Sequence, residues 1–160
     1  MNRAAVNSRN VPLPDWSGAR CDALGDYAVK VLDFLKKDNW DLSILLCDDK
    51  TIKALNAQYR DKAETTDVLS FELGTEAADG DSVRYLPGDI VISIDTLKEN
   101  SVFFKITEDE ELRRLLIHGI LHLNGMDHKT NDITEPMLAL QEDILKNFNN
   151  EHIIPGGDKK

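Results

Sequence analysis

Apolar residues recur at two spacings along this chain, and these spacings predict where helices and strands lie. Helices follow from an apolar residue at every third or fourth position and from capping residues; they are predicted at 20–37, 49–59, 95–103, 108–124 and 134–148. Strands follow from short apolar runs rich in β-branched residues; they are predicted at 42–47, 67–71 and 89–94. Proline, glycine and charged residues favour irregular structure at 1–18, 74–88 and 150–160, with room for a short edge strand near the start.

The predicted order of these elements is helix, strand, helix, strand, strand and then three helices. This order is typical of an α/β or α+β fold, with a single small mixed β-sheet packed with helices. The helix at 108–124 is apolar nearly all round after its charged first turns, so we expect it to be the buried central helix. A length of 160 residues predicts one domain, residues 1–160. Asp95 and Thr107 are suited to cap the helices that follow them.

The net charge of −10 limits how this protein could bind nucleic acid. Proteins that bind RNA or DNA through broad neutralisation of phosphates are usually basic. We therefore expect no tight non-specific binding to RNA or DNA. A nuclease remains compatible with this charge if a bound cation and a few arginines make a local positive cleft, and a partner would then present the substrate.

The chain has the features of a cytoplasmic protein. No apolar run reaches the length of a membrane span, and the first residues lack the apolar core of a signal peptide. The two cysteines, Cys21 and Cys47, have no metal-type spacing and are typical of reduced thiols in a cytosol. Cys47 lies in a predicted strand, where we expect it to belong to the core.

Three of the four histidines lie within eleven residues and predict a metal site. His118 and His122 stand one turn apart on the same face of the predicted helix, so both imidazoles can reach one ion. Gly125 is suited to end that helix, and the chain would then bring His128 back to the same point. Three nitrogens with an open fourth position are typical of a catalytic zinc site, although another divalent transition metal would also bind. The fourth histidine, His152, is interpreted as exposed and without a role.

The spacing of these histidines matches a known protease pattern in all but one position. Metzincin proteases carry H-E-x-x-H-x-x-G-x-x-H, in which the glutamate is the general base. Gly119 occupies the position of that glutamate in this chain. The residues therefore predict a metal-assisted hydrolase whose substrate is not a peptide.

Three sequence blocks together resemble the YbeY family of bacterial rRNA maturation factors. The first is His118-Gly-x-Leu-His122-Leu-x-Gly125-x-Asp127-His128. The second consists of Leu55-Asn56, Tyr59-Arg60 and Thr66-Asp67-Val68-Leu69-Ser70-Phe71. The third is Gly88-Asp89-Ile90-Val91-Ile92. The blocks stand in family order and span residues 55–128.

The resemblance implies a metal-dependent endoribonuclease that acts on single-stranded RNA. It implies a role in maturation of the 3′ end of small-subunit (16S) rRNA and in ribosome quality control. The family ligands correspond to His118, His122 and His128, which would hold one zinc ion, and the family's cleft arginine corresponds to Arg60, which would contribute to catalysis. The implied partners are rRNA, the ribosome or its small subunit, and an assembly factor, with no DNA and no membrane.

The chain departs from the family pattern at three positions. Met126 stands where an aromatic residue is usual, Gln141 where an acidic residue is common, and Thr65 where proline is common. We expect none of the three to touch a metal ligand.

The roles of several other residues stay open at this level. Asp127 could orient a ligand imidazole or serve the turn that ends the helix, and Asp67 is better suited to fixing a loop than to chemistry. The general base could be a hydroxide on the metal, the RNA's own 2′-hydroxyl or a distant side chain.

Two alternatives to the endoribonuclease follow from the same residues. One is a metallopeptidase or other zinc hydrolase, which the metzincin-like spacing favours and Gly119 opposes. The other is a non-catalytic ribosome-assembly factor whose zinc is structural. A fourth protein ligand that completes the zinc coordination would favour the second alternative.

Overall fold

The computed structural model describes residues 1–12, 22–60 and 68–154, except for the side chains of Asp22 and Arg60. Within these ranges the chain forms four strands and five helices. In chain order they are β1 (Arg3–Arg9), α1 (Asp22–Phe34), β2 (Asp41–Cys47), α2 (Asp49–Arg60), β3 (Val68–Asp79), β4 (Ser82–Ser93), α3 (Ile94–Phe104), α4 (Glu108–Leu123) and α5 (Pro136–Asn147).

The strands form one mixed sheet in the order β1-β2-β4-β3. β1 and β4 both pair with β2 in parallel, whereas β3 pairs with β4 as an antiparallel hairpin. The predicted fold class, a small mixed sheet covered by helices, is confirmed.

The short edge strand that the sequence allowed near the start is present as β1, whereas the prediction that 74–88 is irregular is wrong. Within 1–18, β1 has few large apolar residues, and it forms because β2 supplies a partner about 38 residues further along the chain. Within 74–88, the outer parts of β3 and β4 pair around a two-residue turn at Gly80 and Asp81. Most of these residues are exposed, so the hairpin lacks the apolar alternation by which a strand is recognised.

The two faces of the sheet pack on different helices. One face belongs to the main core, in which α1 and α4 lie against the sheet and α5 packs on α4; its fully buried aliphatic side chains are Ile44, Leu46, Ile90 and Ile92. The other face forms a smaller cluster in which Cys47, Leu69 and Val91 contact Ile52 of α2. Cys47 is fully buried, so the expectation that it belongs to the core is confirmed, and burial raises its pKa to about 12. Cys21 lies outside the described residues.

α4 is the central helix, as predicted, and both of its ends are fixed by hydrogen bonds. The Thr107 hydroxyl accepts the backbone N–H of Glu110 at 3.0 Å, which caps the start of the helix.

The prediction that Asp95 caps α3 is wrong, because Ser93 accepts the N–H of Thr96 and Asp95 instead accepts the N–H of Asp49.

The acidic residues at the start of α4 do more than complement the helix dipole. Asp109 is buried, and its carboxylate accepts the backbone N–H groups of Ile153 and Ile154 at 2.7 and 2.8 Å. The same carboxylate contacts the Arg113 guanidinium at 2.8 Å and a ring nitrogen of His152 at 3.0 Å. His152 is exposed, as expected, but it has a partner. Asp109 thus holds the segment after α5 against the first turn of α4.

No helix within the described part of the chain is both long enough and apolar enough to cross a bilayer.

Candidate metal centre

One face of α4 brings His118 and His122 together. The two residues are one turn apart, and their Nε2 atoms lie 3.1 Å from each other. Both residues are partly buried. This is the arrangement that the four-residue spacing predicted.

The end of α4 turns the chain back so that His128 reaches the same point. Gly125 adopts φ +88, and two backbone hydrogen bonds, from Gly125 to His122 and from Met126 to Leu121, form the Schellman motif that closes many helices. One ring nitrogen from each of the three histidines then lies within 4.8 Å of the others. The three residues could therefore hold one metal ion between them.

Main-chain carbonyls fix the orientation of two of the three rings. The Nδ1 atom of His122 lies 3.1 Å from the carbonyl oxygen of Met126, and that of His128 lies 2.8 Å from the carbonyl of Thr130. Because a carbonyl oxygen only accepts hydrogen bonds, each Nδ1 must donate a proton, and each neutral ring then keeps an unprotonated Nε2. An unprotonated imidazole nitrogen is the form that binds zinc.

The electrostatic surroundings keep His122 in that neutral form. Burial lowers the pKa of His122, and a positive charge on the neighbouring His118 would lower it further. The donor set, of three imidazoles with no thiolate or carboxylate among them, fits zinc and the neighbouring transition metals.

Gln141 touches one of the histidines, contrary to the expectation that none of the three unusual positions would. Its Oε1 lies 2.7 Å from Nδ1 of His118. The periodicity of α5 carried a signal for this contact, because Gln141 falls on the same face as the buried Met137 and Ile144. A polar side chain on an apolar stripe predicts a buried hydrogen-bond partner.

Met126 and Asp127, two other positions singled out in the sequence, make contacts that stabilise the fold. The side chain of Met126 packs against the core, as expected. Asp127 accepts the backbone N–H of His128 at 2.8 Å, which favours its interpretation as a turn residue. Thr65, Thr66 and Asp67 lie outside the described residues, and so does the side chain of Arg60, the last residue of α2.

Gly119 lies against the sheet and allows α4 to approach it closely. A Cβ atom at this position would lie 2.9 Å from Cγ2 of Ile90 on β4, closer than side-chain contacts allow. The Ser70 hydroxyl of β3 donates to the Gly119 carbonyl at 3.3 Å, which holds the same approach. A side chain at the position of the protease glutamate would therefore have to displace Ile90 of the sheet.

A cleft of about 1010 Å³ opens beside the histidines. His118 and His122 lie in its wall together with Arg9, Tyr59 and Phe71. The rings of Tyr59 and Phe71 meet edge to face with their centroids 5.3 Å apart, and Tyr59 is 62% exposed. The cleft thus joins a candidate metal site to an accessible aromatic surface.

Known proteins match this chain over most of its length. The family model described as Endoribonuclease YbeY matches residues 18–149. The chain is 49% identical over 129 residues to the endoribonuclease YbeY of Treponema denticola, which covers 80% of this chain and 83% of the relative. It is 43% identical over 146 residues to the endoribonuclease YbeY of Treponema pallidum, strain Nichols, at 91% and 89% coverage.

A solved structure is similar in fold. The solution structure of a Thermotoga maritima protein superposes with a TM-score of 0.55 at 25% sequence identity, over 92% of this chain and 90% of that chain. The matches to the family model and to the two named relatives cover most of this chain. The chain belongs to the endoribonuclease YbeY family.

Proposed function

We propose that this chain is a zinc-dependent endoribonuclease that cleaves single-stranded RNA, with His118, His122 and His128 as the metal ligands and Arg60 as a catalytic residue. Its substrate is ribosomal RNA, at the 3′ end of the small-subunit RNA, and its partners are the ribosome and an assembly factor. It acts in the cytoplasm as one domain.

The convergence of three histidines, two of them in the wall of an open cleft, carries this proposal. Their ring nitrogens lie within 4.8 Å of one another, and two rings are oriented by main-chain carbonyls so that Nε2 is available. A site with three protein ligands keeps a position for substrate or water, which is the pattern of catalytic zinc. The family's name supplies the reaction class.

The chain's own groups have distinct tasks in phosphodiester cleavage. A zinc ion held by His118, His122 and His128 would polarise a phosphoryl oxygen and acidify water. The carbonyls of Met126 and Thr130 hold the His122 and His128 rings in a fixed orientation, so the centre needs little reorganisation. Arg60 directly follows Tyr59 of the cleft wall, and its guanidinium would hold the phosphate through paired hydrogen bonds and stabilise charge in the transition state.

Aromatic stacking explains how an acidic protein binds RNA. A chain with a net charge of −10 gains little from broad phosphate contacts. Stacking of a base on an aromatic ring adds about 1–3 kcal/mol and needs no positive charge. The exposed Tyr59 ring, supported by Phe71, is positioned for such a contact, which requires unpaired and therefore single-stranded bases.

The packing of Gly119 argues against the metallopeptidase alternative. That reaction needs a general base one residue after the first histidine, where this chain has glycine and a side chain would have to displace Ile90 of β4. The non-catalytic alternative is separated from an enzyme by the following experiment.

A labelled fragment from the 3′ region of small-subunit rRNA should be cleaved by the wild type in the presence of zinc. Arg60→Ala should bind zinc normally and lose about 10²–10³-fold in kcat, the usual effect of removing one charge-stabilising donor. His122→Ala, purified in parallel, should show background cleavage only, and its rate reports contaminating nuclease.

Three outcomes would contradict the assignment. Equal cleavage by all three proteins would mean that a contaminant cuts the RNA. If the Arg60→Ala variant does not bind zinc, the catalytic role proposed for Arg60 is wrong. Full complementation by Arg60→Ala in cells would favour a non-catalytic assembly factor.

The stacking role of Tyr59 predicts a specific change in kinetics. Tyr59→Ala should raise KM for single-stranded RNA by about 5- to 150-fold, equivalent to the loss of about 1–3 kcal/mol of stacking. The value of kcat should change little, because Tyr59 contacts no reacting group in this proposal. Tyr59→Phe should retain the wild-type KM, since the ring remains.

Phe103→Ala is the matched control for this measurement. Phe103 is also an exposed ring, at 79%, but it lies on α3 and outside the lining of the cleft. An equal rise of KM in Tyr59→Ala and Phe103→Ala would show a general surface effect, and an unchanged KM in Tyr59→Ala would refute the stacking contact.

A further inference from the structure

We propose that Gln141 is a positioning residue for the metal centre: its carbonyl oxygen sets the tautomer of His118, and the Arg114–Glu142 ion pair sets the direction of the Gln141 amide. The inference rests on the proposed metal centre and concerns how affinity for the ion is controlled at a distance. It gives a role to a residue that stands where acidic side chains are common.

Gln141 connects a ligand histidine to a charged pair. Its side chain is buried, with Oε1 2.7 Å from Nδ1 of His118 and Nε2 3.1 Å from a carboxylate oxygen of Glu142. A primary amide has one end that accepts and one end that donates hydrogen bonds. The two orientations of this amide therefore have different consequences for His118.

Glu142 decides between these orientations. Two nitrogens of Arg114 hold its carboxylate, Nε and Nη2, each at 3.0 Å from a different oxygen. Burial raises the pKa of Glu142, but the hydrogen bonds from Arg114 and Gln141 outweigh burial and leave it below its usual value. An ionised carboxylate only accepts, so the NH₂ end of Gln141 faces Glu142 and its oxygen faces His118.

The tautomer of His118 follows from this orientation. Facing an acceptor, Nδ1 must carry the proton, and Nε2 of the neutral ring is then unprotonated. His122 is in the same state because its Nδ1 donates to the Met126 carbonyl. The two unprotonated Nε2 atoms lie 3.1 Å apart, where their lone pairs repel unless a cation binds both. The local geometry thus favours metal binding.

The opposite orientation of the Gln141 amide would prevent metal binding at the same site. With an NH₂ group facing His118, Nδ1 would accept, and the proton would move to Nε2. That Nε2–H would point at the bare Nε2 of His122 at hydrogen-bond distance, and the two histidines would bond to each other instead of to an ion. The Arg114–Glu142 pair, which contacts no metal ligand in this arrangement, therefore selects the metal-binding state.

The test uses substitutions that change the hydrogen bonds and preserve the size of the side chain. Gln141→Met removes the hydrogen bonds and should weaken zinc affinity by about 10–100-fold, the usual effect of losing the partner of a ligand histidine. Gln141→Glu keeps an acceptor beside His118 and, when combined with Glu142→Gln so that an amide and not a second carboxylate faces it, should restore affinity to near the wild-type value. Glu142→Gln releases the amide and should weaken affinity by a smaller factor, whereas Glu99→Gln, an exposed change of the same kind on α3, should have no effect.

Affinity is measured by competition with a chelator, without RNA, so that it does not depend on the ribonuclease activity. The tautomer is read directly from the ¹⁵N chemical shifts of the His118 ring in metal-free protein. Wild type should show Nδ1–H, and Glu142→Gln should show an increased fraction of Nε2–H. An Nε2–H ring in the wild type, or a Gln141→Met variant with unchanged zinc affinity, would overturn the proposal.

Failure of the ribonuclease assay alone would leave both readouts intact, so the two proposals fail separately. If Gln141→Met does not fold, Glu142→Gln decides the question, because it alters no residue that contacts a ligand. An unchanged His118 tautomer and unchanged zinc affinity in Glu142→Gln would show that the ion pair does not direct the amide.

Discussion

Replacing His122 with alanine is expected to abolish the stabilisation that zinc gives to the folded protein. An ion that binds only the folded state, at a free concentration 100 times its Kd, adds about 2.7 kcal/mol to the free energy of unfolding. For a chain of this size that corresponds to a rise in Tm of about 5–10 °C. His122→Ala leaves two histidines, and its Tm should be the same with and without zinc.

The measurement is thermal unfolding with and without zinc, with His152→Ala as a control of the same residue type. His152 lies outside the triad, so its variant should keep the full zinc-dependent rise even if its starting Tm is lower. A zinc-dependent rise in His122→Ala equal to that of the wild type would show that the ion binds elsewhere.

Replacing Asp109 with alanine is expected to lower the free energy of unfolding more than any substitution at the three histidines would in the absence of metal. Its fully buried carboxylate accepts two backbone N–H groups and pairs with Arg113, which is itself almost fully buried. Removing one partner of a buried ion pair leaves an uncompensated charge and costs about 3–5 kcal/mol. The segment 152–154 also loses its attachment to α4.

Urea unfolding measures this loss, and limited proteolysis reports whether the segment after α5 has been released. Glu108→Ala is the matched control, because Glu108 is an acidic residue of the same first turn that is only partly buried. Its loss should cost about 0.3–1 kcal/mol through the helix dipole. If Asp109→Ala unfolds within about 1 kcal/mol of the wild type, the carboxylate does not fix this end of the fold.

The cluster of three histidines could be predicted from sequence because it is local. His118 and His122 are placed by helix geometry alone, and Gly125 supplies the turn that returns His128. The backbone carbonyl at Met126 that orients His122 is also only four residues away, but carbonyls carry no residue-specific signal.

What could not be predicted depends on partners distant in the chain. β1 is stable because it pairs with β2, and the outer hairpin of β3 and β4 is exposed, so neither has the apolar pattern of a buried strand. The contact between Gln141 and His118 spans 23 residues and depends on how α5 packs on α4. Periodicity places Gln141 on the inner face of α5 and leaves its partner unspecified.

The close contact between Gly119 and Ile90 also has an evolutionary consequence. A single codon change that introduces glutamate at 119 would bring a side chain into β4 before any new chemistry was gained. A smaller residue at 90 would relieve that contact, but each change alone is unfavourable: one crowds the interface and the other leaves a cavity. In this chain, residue 119 of the histidine pattern is therefore coupled to the packing of α4 on β4.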